Sequence, residues 1–461
     1  MNDLNIKNGK IFYEDRLIEA CLSIEKGKIV TIGNQDTLPL ADETIDATDQ
    51  IILPGSIDVH THILDLNYSY REDFVSGTQA AASGGITTIL EMPLGIEEHS
   101  VLDVFDKQLE TMNKKCFIDF GIIGAAGFTS IDSIAALAQR GAIAFKTFMI
   151  NPSEEEAELK DLASKDDAGL IEIFSEVAKT DRVSCVHAEN DAIIAHEIDR
   201  LSSLGRVDFD AHTESRPAIS EDEACMRAIL FAQYTGVKLH LVHMSSNYSF
   251  NYIRKSKKKI DVTCEVTPHH LFLTSEDGKK IGTWAKVDPP LRSKSHMNAA
   301  WMALNDGTID IIASDHSPYS DEEKALGEDN NFFRVGSGTT GIETILPLML
   351  DAINKGKTTL KRLVESTSST PAKRFGLYPQ KGTITLGSDA DLMIVDMQEE
   401  YTLRNEDLFT LPKITVFNGR RLKGRVVKTL VRGKLIYDEG EILGREGYGK
   451  SISKASQLSE I

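Results

Sequence analysis

Cysteine is scarce: five residues in 461 (Cys21, Cys116, Cys185, Cys225 and Cys264), scattered, odd in number and with no Cys-x-x-Cys pair. That argues against a disulfide framework and a thiolate zinc site, and leaves buried, reduced thiols as the expectation. Positive charge is in deficit as well. Lysine and arginine number 51 against 70 aspartates and glutamates, for a net charge of −19. The chain therefore lacks the basic face that non-specific nucleic-acid binding demands. No apolar run approaches the roughly 20 residues that span a bilayer. The opening MNDLNIKNGKIFYEDRLIEA lacks the basic and apolar blocks of a secretory signal. The expectation is a cytoplasmic protein with neither a nucleic-acid nor a membrane partner.

What is present is the composition of a globular protein with a sizeable core: 41% hydrophobic residues and 26% charged ones of mixed sign. From Ser56 to about Pro318, β-branched runs alternate with helical stretches. The runs are Ser56 to His62, Thr87 to Pro93, Ile118 to Ala126, Ala142 to Met149, Val183 to Glu189, Val237 to Ser245, Ile260 to His269 and Ile309 to Pro318. Helical stretches such as Glu72 to Ser83, closed by Gly84-Gly85, and Glu221 to Tyr234, closed by Gly236, fill the intervals. Eight βα units in series predict an α/β fold, a (β/α)₈ TIM barrel over residues 56–375.

Residues 1–55 and 376–461 read differently. Leu4 to Ile32 carries short alternating segments with turns at Asn8-Gly9 and Lys26-Gly27, and Gly382 to Val395 and Arg425 to Ile442 repeat that pattern. Neither flank alone buries a stable sheet, so together they predict one small composite β-sandwich built from both ends of the chain. The tail from Gly447 to Ile461 has no periodic pattern and is expected to be disordered or packed on a neighbouring subunit.

The strongest local signal is Asp58-Val59-His60-Thr61-His62. Residues two apart on a strand share a face, so His60 and His62 project together from the end of the first barrel strand. Alone, such a pair is more often structural than metal-binding. Here Lys146, His187, His243 and Asp315 stand at or near the ends of four later strands, and in a barrel those ends converge on one mouth. Charge explains a lysine among ligands. Two divalent cations with four neutral imidazoles, one aspartate and an ammonium leave a strongly positive pocket. A Lys146 carbamate (N6-carboxylysine) instead contributes a negative charge and two oxygens able to bridge cations about 3.5 to 4 Å apart. With a hydroxide between them the site falls to about +1.

These motifs, with Pro54-Gly55-Ser56-Ile57 at one end and Gly387-Ser388-Asp389-Ala390-Asp391-Leu392 at the other, resemble the cyclic amidohydrolases of the amidohydrolase superfamily. That group includes allantoinase, hydantoinase or dihydropyrimidinase, and dihydroorotase. The resemblance implies that His60, His62 and Asp315 hold the more buried of two divalent metals, most simply Zn²⁺, that His187 and His243 hold the second, and that carbamylated Lys146 bridges them. It implies hydrolytic opening of a small cyclic amide or ureide, with Asp315 as the catalytic proton carrier, and a homodimer or homotetramer. A non-catalytic scaffold of the same fold is the competing reading, set against a complete ligand set.

Substrate signals are mixed. Phe145-Lys146-Thr147-Phe148-Met149, Ser314-Asp315-His316-Ser317-Pro318, Glu91-Met92-Pro93-Leu94 and Ser215-Arg216-Pro217 are closest to allantoinase, an enzyme of purine catabolism. Glu265-Val266-Thr267-Pro268-His269-His270 and Lys286-Val287-Asp288-Pro289-Pro290-Leu291-Arg292 are similar to dihydroorotase. Dihydroorotase usually places an arginine two residues after His-x-His to grip the substrate carboxylate, and this chain has Leu64 there. Allantoinase-like sequences generally have Asn where Gly95 stands. Asp288 and Pro289 are expected to meet the ring through their backbone. Gly336 and Gly338 lie in a glycine-rich loop after the eighth strand, able to present backbone groups to it. His240, three residues before His243, is expected to face the surrounding helices, and His269, His270 and His316 to lie near the mouth.

Overall fold

Parallel strands covered on both faces are buried along nearly their whole length, and the strands of the eight runs are. In the computed structural model, which describes residues 2–93, 96, 99–151, 159–326 and 330–452, they form β1 (Ser56–Thr61), β2 (Ile86–Glu91), β3 (Asp119–Ile122, resumed at Gly124–Ala125), β4 (Ala144–Phe148), β5 (Val183–His187), β6 (Lys238–Leu241), β7 (Val262–Val266) and β8 (Ile311–Ile312). Each pairs in parallel with the next. Closure comes from the bridge between Thr61 and His316, where the His62 N–H donates to the His316 carbonyl at 2.8 Å. The TIM barrel is therefore as expected. Leu90, Ile123, Ala144, Val183, Val242 and Ile311 belong to an apolar cluster distinct from the larger one that includes Ile89, Val186 and Leu241.

Helix Phe74–Ser83 starts two residues later than its pattern suggests. Asp73 caps it by accepting the Ser76 N–H, while the buried Glu72 turns away to accept the Leu411 N–H. Helix Ala218–Thr235 ends where Gly236 takes a left-handed φ of 75°.

Both chain ends build the β-rich unit. One sheet holds Asn2–Lys7, Cys21–Glu25, Lys28–Gly33 and Ala41–Asp46. The other joins Lys10–Tyr13, Arg16–Glu19 and Ile51–Pro54 to Leu392–Thr402, Arg421–Val431, Lys434–Asp438 and Glu441–Ile442. Ile6, Leu22, Ile24, Ile52, Leu392 and Leu430 fill the core between them. The Asn8-Gly9 and Lys26-Gly27 turns are present, with φ of 65° at Asn8 and 76° at Gly27.

Two expectations need correction. Of the short strands read on either side of Gly387-Ser388, the first is absent and the second begins only at Leu392; Lys381 ties the segment before it to the barrel. Its buried ammonium bonds Asp391 at 2.5 Å and Asp119 of β3 at 2.7 Å, with Asp389 at 3.3 Å. Those three carboxylates could surround a cation, but the lysine already supplies the positive charge.

The tail is neither disordered nor left for a neighbouring subunit over 447–452. Ser451 bridges Phe120 in parallel, the Ile452 N–H donates to the Phe120 carbonyl, and the Gly449 N–H to that of Cys116. The N–H and C=O groups of this part of β3 thus pair with the chain end through a single β-bridge. Residues 453–461, like Leu94 and Gly95, lie outside the described residues. All five cysteines are buried and unpaired. Among the described residues, no helix is long and apolar enough to cross a membrane.

Candidate active site

The barrel brings six of the singled-out side chains to one place. His60 Nε2 lies 3.1 Å from His62 Nε2, 3.2 Å from Asp315 Oδ1 and 3.4 Å from Lys146 Nζ. Asp315 Oδ1 is 3.6 Å from His62 Nε2. Beside them, His187 Nδ1 faces His243 Nε2 at 3.0 Å, and the His60 and His243 ring centres are 5.4 Å apart. Two of these positions carry backbone strain: His243 and Asp315 follow their strands with φ of 37° and 50°, a region costly for any residue with a Cβ and one that clusters at functional sites.

Each cluster is braced from behind by a carboxylate. Glu265 Oε1 sits 2.5 Å from His60 Nδ1, and Glu189 Oε2 sits 2.9 Å from His187 Nε2. An ionised carboxylate only accepts, so these outer nitrogens carry the protons. That turns the other nitrogens, His60 Nε2 and His187 Nδ1, inward, where each faces a second imidazole. Burial holds His62 and His243 well below the usual imidazole range, so both are neutral, the form that ligates. Burial likewise lowers the pKa of Lys146, which is 1% exposed. Glu91, at the end of β2, accepts the Thr61 hydroxyl at 2.6 Å and the Leu64 N–H at 3.0 Å, fixing the turn after His-x-His. Burial pushes its carboxyl up to about 8.

Glu189 also bonds the guanidinium of Arg216 at 2.5 Å, whose Nε reaches Asp288 Oδ1 at 2.9 Å. His212 Nε2 lies 3.4 Å from the same Asp288 oxygen. Burial raises the Asp288 pKa, but Arg216, then His212 and Lys286, outweigh it and hold the carboxyl below the usual range. Glu189, Arg216 and Glu265 are functional residues that the motifs alone do not single out; for Glu265 a signal exists, a charged residue inside an otherwise buried strand.

The substrate-contact candidates share one wall. Ser337 bonds Asp288, and the Gly338 N–H donates to the Lys286 carbonyl at 2.9 Å. The Gly336 N–H donates to the Glu323 carbonyl. Both glycine N–H groups are thus used within the wall, and what Gly336 offers is room: a Cβ there would stand 2.4 Å from the Tyr319 ring. The Pro289 carbonyl accepts from His270 Nε2 at 3.1 Å. His316 Nδ1 accepts the Gly341 N–H at 3.2 Å, and His269 is buried against His270.

His240 corrects the reading of its strand. It points inward, with Nε2 2.9 Å from Glu265 Oε2, and not toward the helices. The left-handed residue at His243 breaks strand alternation, so positions three apart reach the same interior.

The donor set fits two divalent cations. His60, His62 and Asp315 offer atoms all within 4.8 Å of one another. Two nitrogens on one tetrahedral zinc stand about 3.4 Å apart, close to the separations seen in both histidine pairs. Glu265 and Glu189 engage the outer nitrogen of one imidazole in each pair, which leaves its inner nitrogen available to a cation.

A family model described as the amidohydrolase family matches residues 51–436. The structure aligns with that of the L-hydantoinase (dihydropyrimidinase) from Arthrobacter aurescens at a TM-score of 0.93 and 34% identity, covering 98% of this chain and 100% of that one. A dihydroorotase of Methanosarcina mazei is 35% identical over 469 residues, covering 100% of both chains. An allantoinase of Bacillus licheniformis is 33% identical over 461 residues, covering 98% of this chain and 99% of its own. Identity alone does not choose among these three names. With a barrel, a two-ended β unit and a model match over most of its length, the chain belongs to the amidohydrolase family.

Proposed function

We propose that the protein hydrolyses the C–N bond of a small cyclic ureide, with allantoin as the favoured substrate, and that two divalent cations, taken to be zinc, would be held by His60, His62, Asp315 and Lys146 and by His187, His243 and Lys146. The observation that carries this reading is the convergence of six ligand-competent side chains, two of them with their outer nitrogens locked by buried carboxylates. Such cations supply a nucleophile at neutral pH and polarise the scissile carbonyl.

The protein's residues do the rest. Lys146, driven toward the neutral amine by burial, adds to dissolved carbon dioxide and releases a proton, giving a carbamate that can bridge. Asp315, more exposed than His60 at 15% against 0%, takes the proton from the attacking water and returns it to the departing ring nitrogen. The ring opens to an acid and an amide or ureide.

A neutral ring is favoured over one bearing a carboxylate. Leu64 stands in place of a carboxylate-gripping arginine, and the half-buried guanidinium at this mouth, Arg216, is already paired with Glu189 and Asp288. Hydantoin is the second reading, supported by the TM-score of 0.93. A cytoplasmic homodimer or homotetramer is the assembly proposed, on family likeness.

The test assays allantoin, hydantoin, dihydrouracil and dihydroorotate before and after chelation. The zinc-replete protein is expected to open allantoin fastest and dihydroorotate at least about 100-fold more slowly, since an unmatched carboxylate costs about 3 kcal/mol. Chelation is expected to abolish turnover, and zinc to restore it. A dominant rate on dihydroorotate refutes the neutral-ring assignment. No ring opening by protein that holds two cations refutes the reaction and favours the scaffold.

Arg216→Lys keeps the charge but loses the fork that joins Glu189 to Asp288. It is expected to lower kcat/KM by about 10- to 100-fold, the usual effect of loosening a ligand's support, with an unchanged thermal transition. A parental kcat/KM would show that this link has no part in the reaction.

A further inference from the structure

Glu265 lies on β7, a strand that contributes none of the six converging residues, and is fully buried. One of its oxygens serves His60 Nδ1 at 2.5 Å and accepts the His243 backbone N–H at 3.2 Å. The other meets His240 Nε2 at 2.9 Å. His240 Nδ1 is in turn 2.8 Å from the Thr263 hydroxyl. A single carboxylate thus ties β1 to β6 through two imidazoles and a main-chain amide.

An ionised carboxylate only accepts, so both imidazoles donate to it through the nitrogens that face it. The other nitrogen of each ring then faces away from Glu265: His240 Nδ1 toward the Thr263 hydroxyl, and His60 Nε2 toward His62, Asp315 and Lys146. Charge points the same way. Two divalent cations with Asp315, a carbamate and a hydroxide leave about +1 in a buried pocket, and the Glu265 carboxylate cancels it.

We propose that Glu265 is a positioning residue for the cation held by His60, His62 and Asp315: it fixes the His60 tautomer and the His243 backbone without touching substrate. The proposal rests on reading His60 as a cation ligand. A carboxylate that merely filled space would affect stability, not the His60 tautomer or one cation in preference to the other.

The test is Glu265→Leu in the full chain, read by cation content, by chelator competition for zinc, and by the imidazole proton spectrum of the metal-free protein. Leucine accepts from neither imidazole, so nothing holds the proton on His60 Nδ1. The metal-free parent is expected to show a downfield imidazole proton from the His60–Glu265 pair, absent from Glu265→Leu. In the variant the cation at His60 is expected to bind about 10- to 100-fold more weakly, and the cation at His243, whose backbone N–H also loses its acceptor, to be weakened less. If Glu265→Leu fails to fold, Glu265→Asp keeps the charge but is too short to reach both imidazoles, and the same order of weakening is expected. Two cations held with parental affinity, both weakened equally, or a downfield proton that persists in the variant, each overturns the proposal. A parent that binds no cation refutes the reading of the site instead, and the proton spectrum still reports on the Glu265–His60 link.

Discussion

Asp315→Asn is expected to leave the fold and the cation content intact and to lower kcat by about 10³-fold or more, near 4 kcal/mol of lost transition-state stabilisation. Three features make the variant informative. Asparagine tolerates the left-handed φ of 50° at this position almost as readily as aspartate, so the backbone has no reason to move. Its amide oxygen keeps a donor toward the cation site, where Asp315 Oδ1 lies 3.2 Å from His60 Nε2 and 3.6 Å from His62 Nε2. It cannot take up and return a proton. Steady-state kinetics with metal analysis on the same sample check the result. Near-parental turnover with both cations bound would remove Asp315 from the proton path.

Lys146→Ala is expected to be at least as damaging, for a different reason. The side chain is 1% exposed and 3.4 Å from His60 Nε2, with its amine over the Phe148 ring at 4.7 Å. Burial without a firm ion-pair partner favours the neutral amine, and the carbamate proposed for it would supply charge to this pocket. Removing the side chain would leave the two proposed cations with no shared ligand from the protein. Loss of several kcal/mol of charge stabilisation, about 10³-fold or more in rate, is expected, with weaker retention of a cation. Short carboxylic acids in solution are expected to restore part of the activity by standing in for the missing oxygens. The parent, exchanged into ¹³C-bicarbonate, is expected to show one labelled lysine by intact mass and carbon NMR. Active enzyme with an unlabelled Lys146 defeats the assignment.

The barrel was legible because strands covered on both faces cannot hide: Ile86–Glu91 and Ser56–Thr61 are buried at every position. The metal-site candidates were legible because a strand end in such a barrel is a known address. What escaped depends on single backbone angles and on partners far away in sequence. The left-handed turn at His243 reverses the side on which His240 falls, and no periodicity reports a φ. Glu265 braces a histidine 205 positions earlier; its own segment, Val-Thr-Cys-Glu-Val, reads as an apolar strand with one intruder. Arg216 joins two acids from different loops, which a local motif cannot express. The bridge at Ser451 has no pattern of its own, since it depends on the backbone groups that Phe120 leaves unpaired within its sheet.

The pairing of Ile51–Pro54 with Leu392–Val395 sets a timetable for synthesis. The segment that leads directly into β1 leaves the ribosome early, yet its antiparallel partner is translated only after the entire barrel. At about 5 to 20 residues per second, that interval is roughly 20 to 70 s. For that time the nascent chain carries an apolar strand with an open edge, the kind of surface that chaperones shield. Both histidines of the His-x-His motif must therefore wait for the far end of the polypeptide before the platform beneath them is complete.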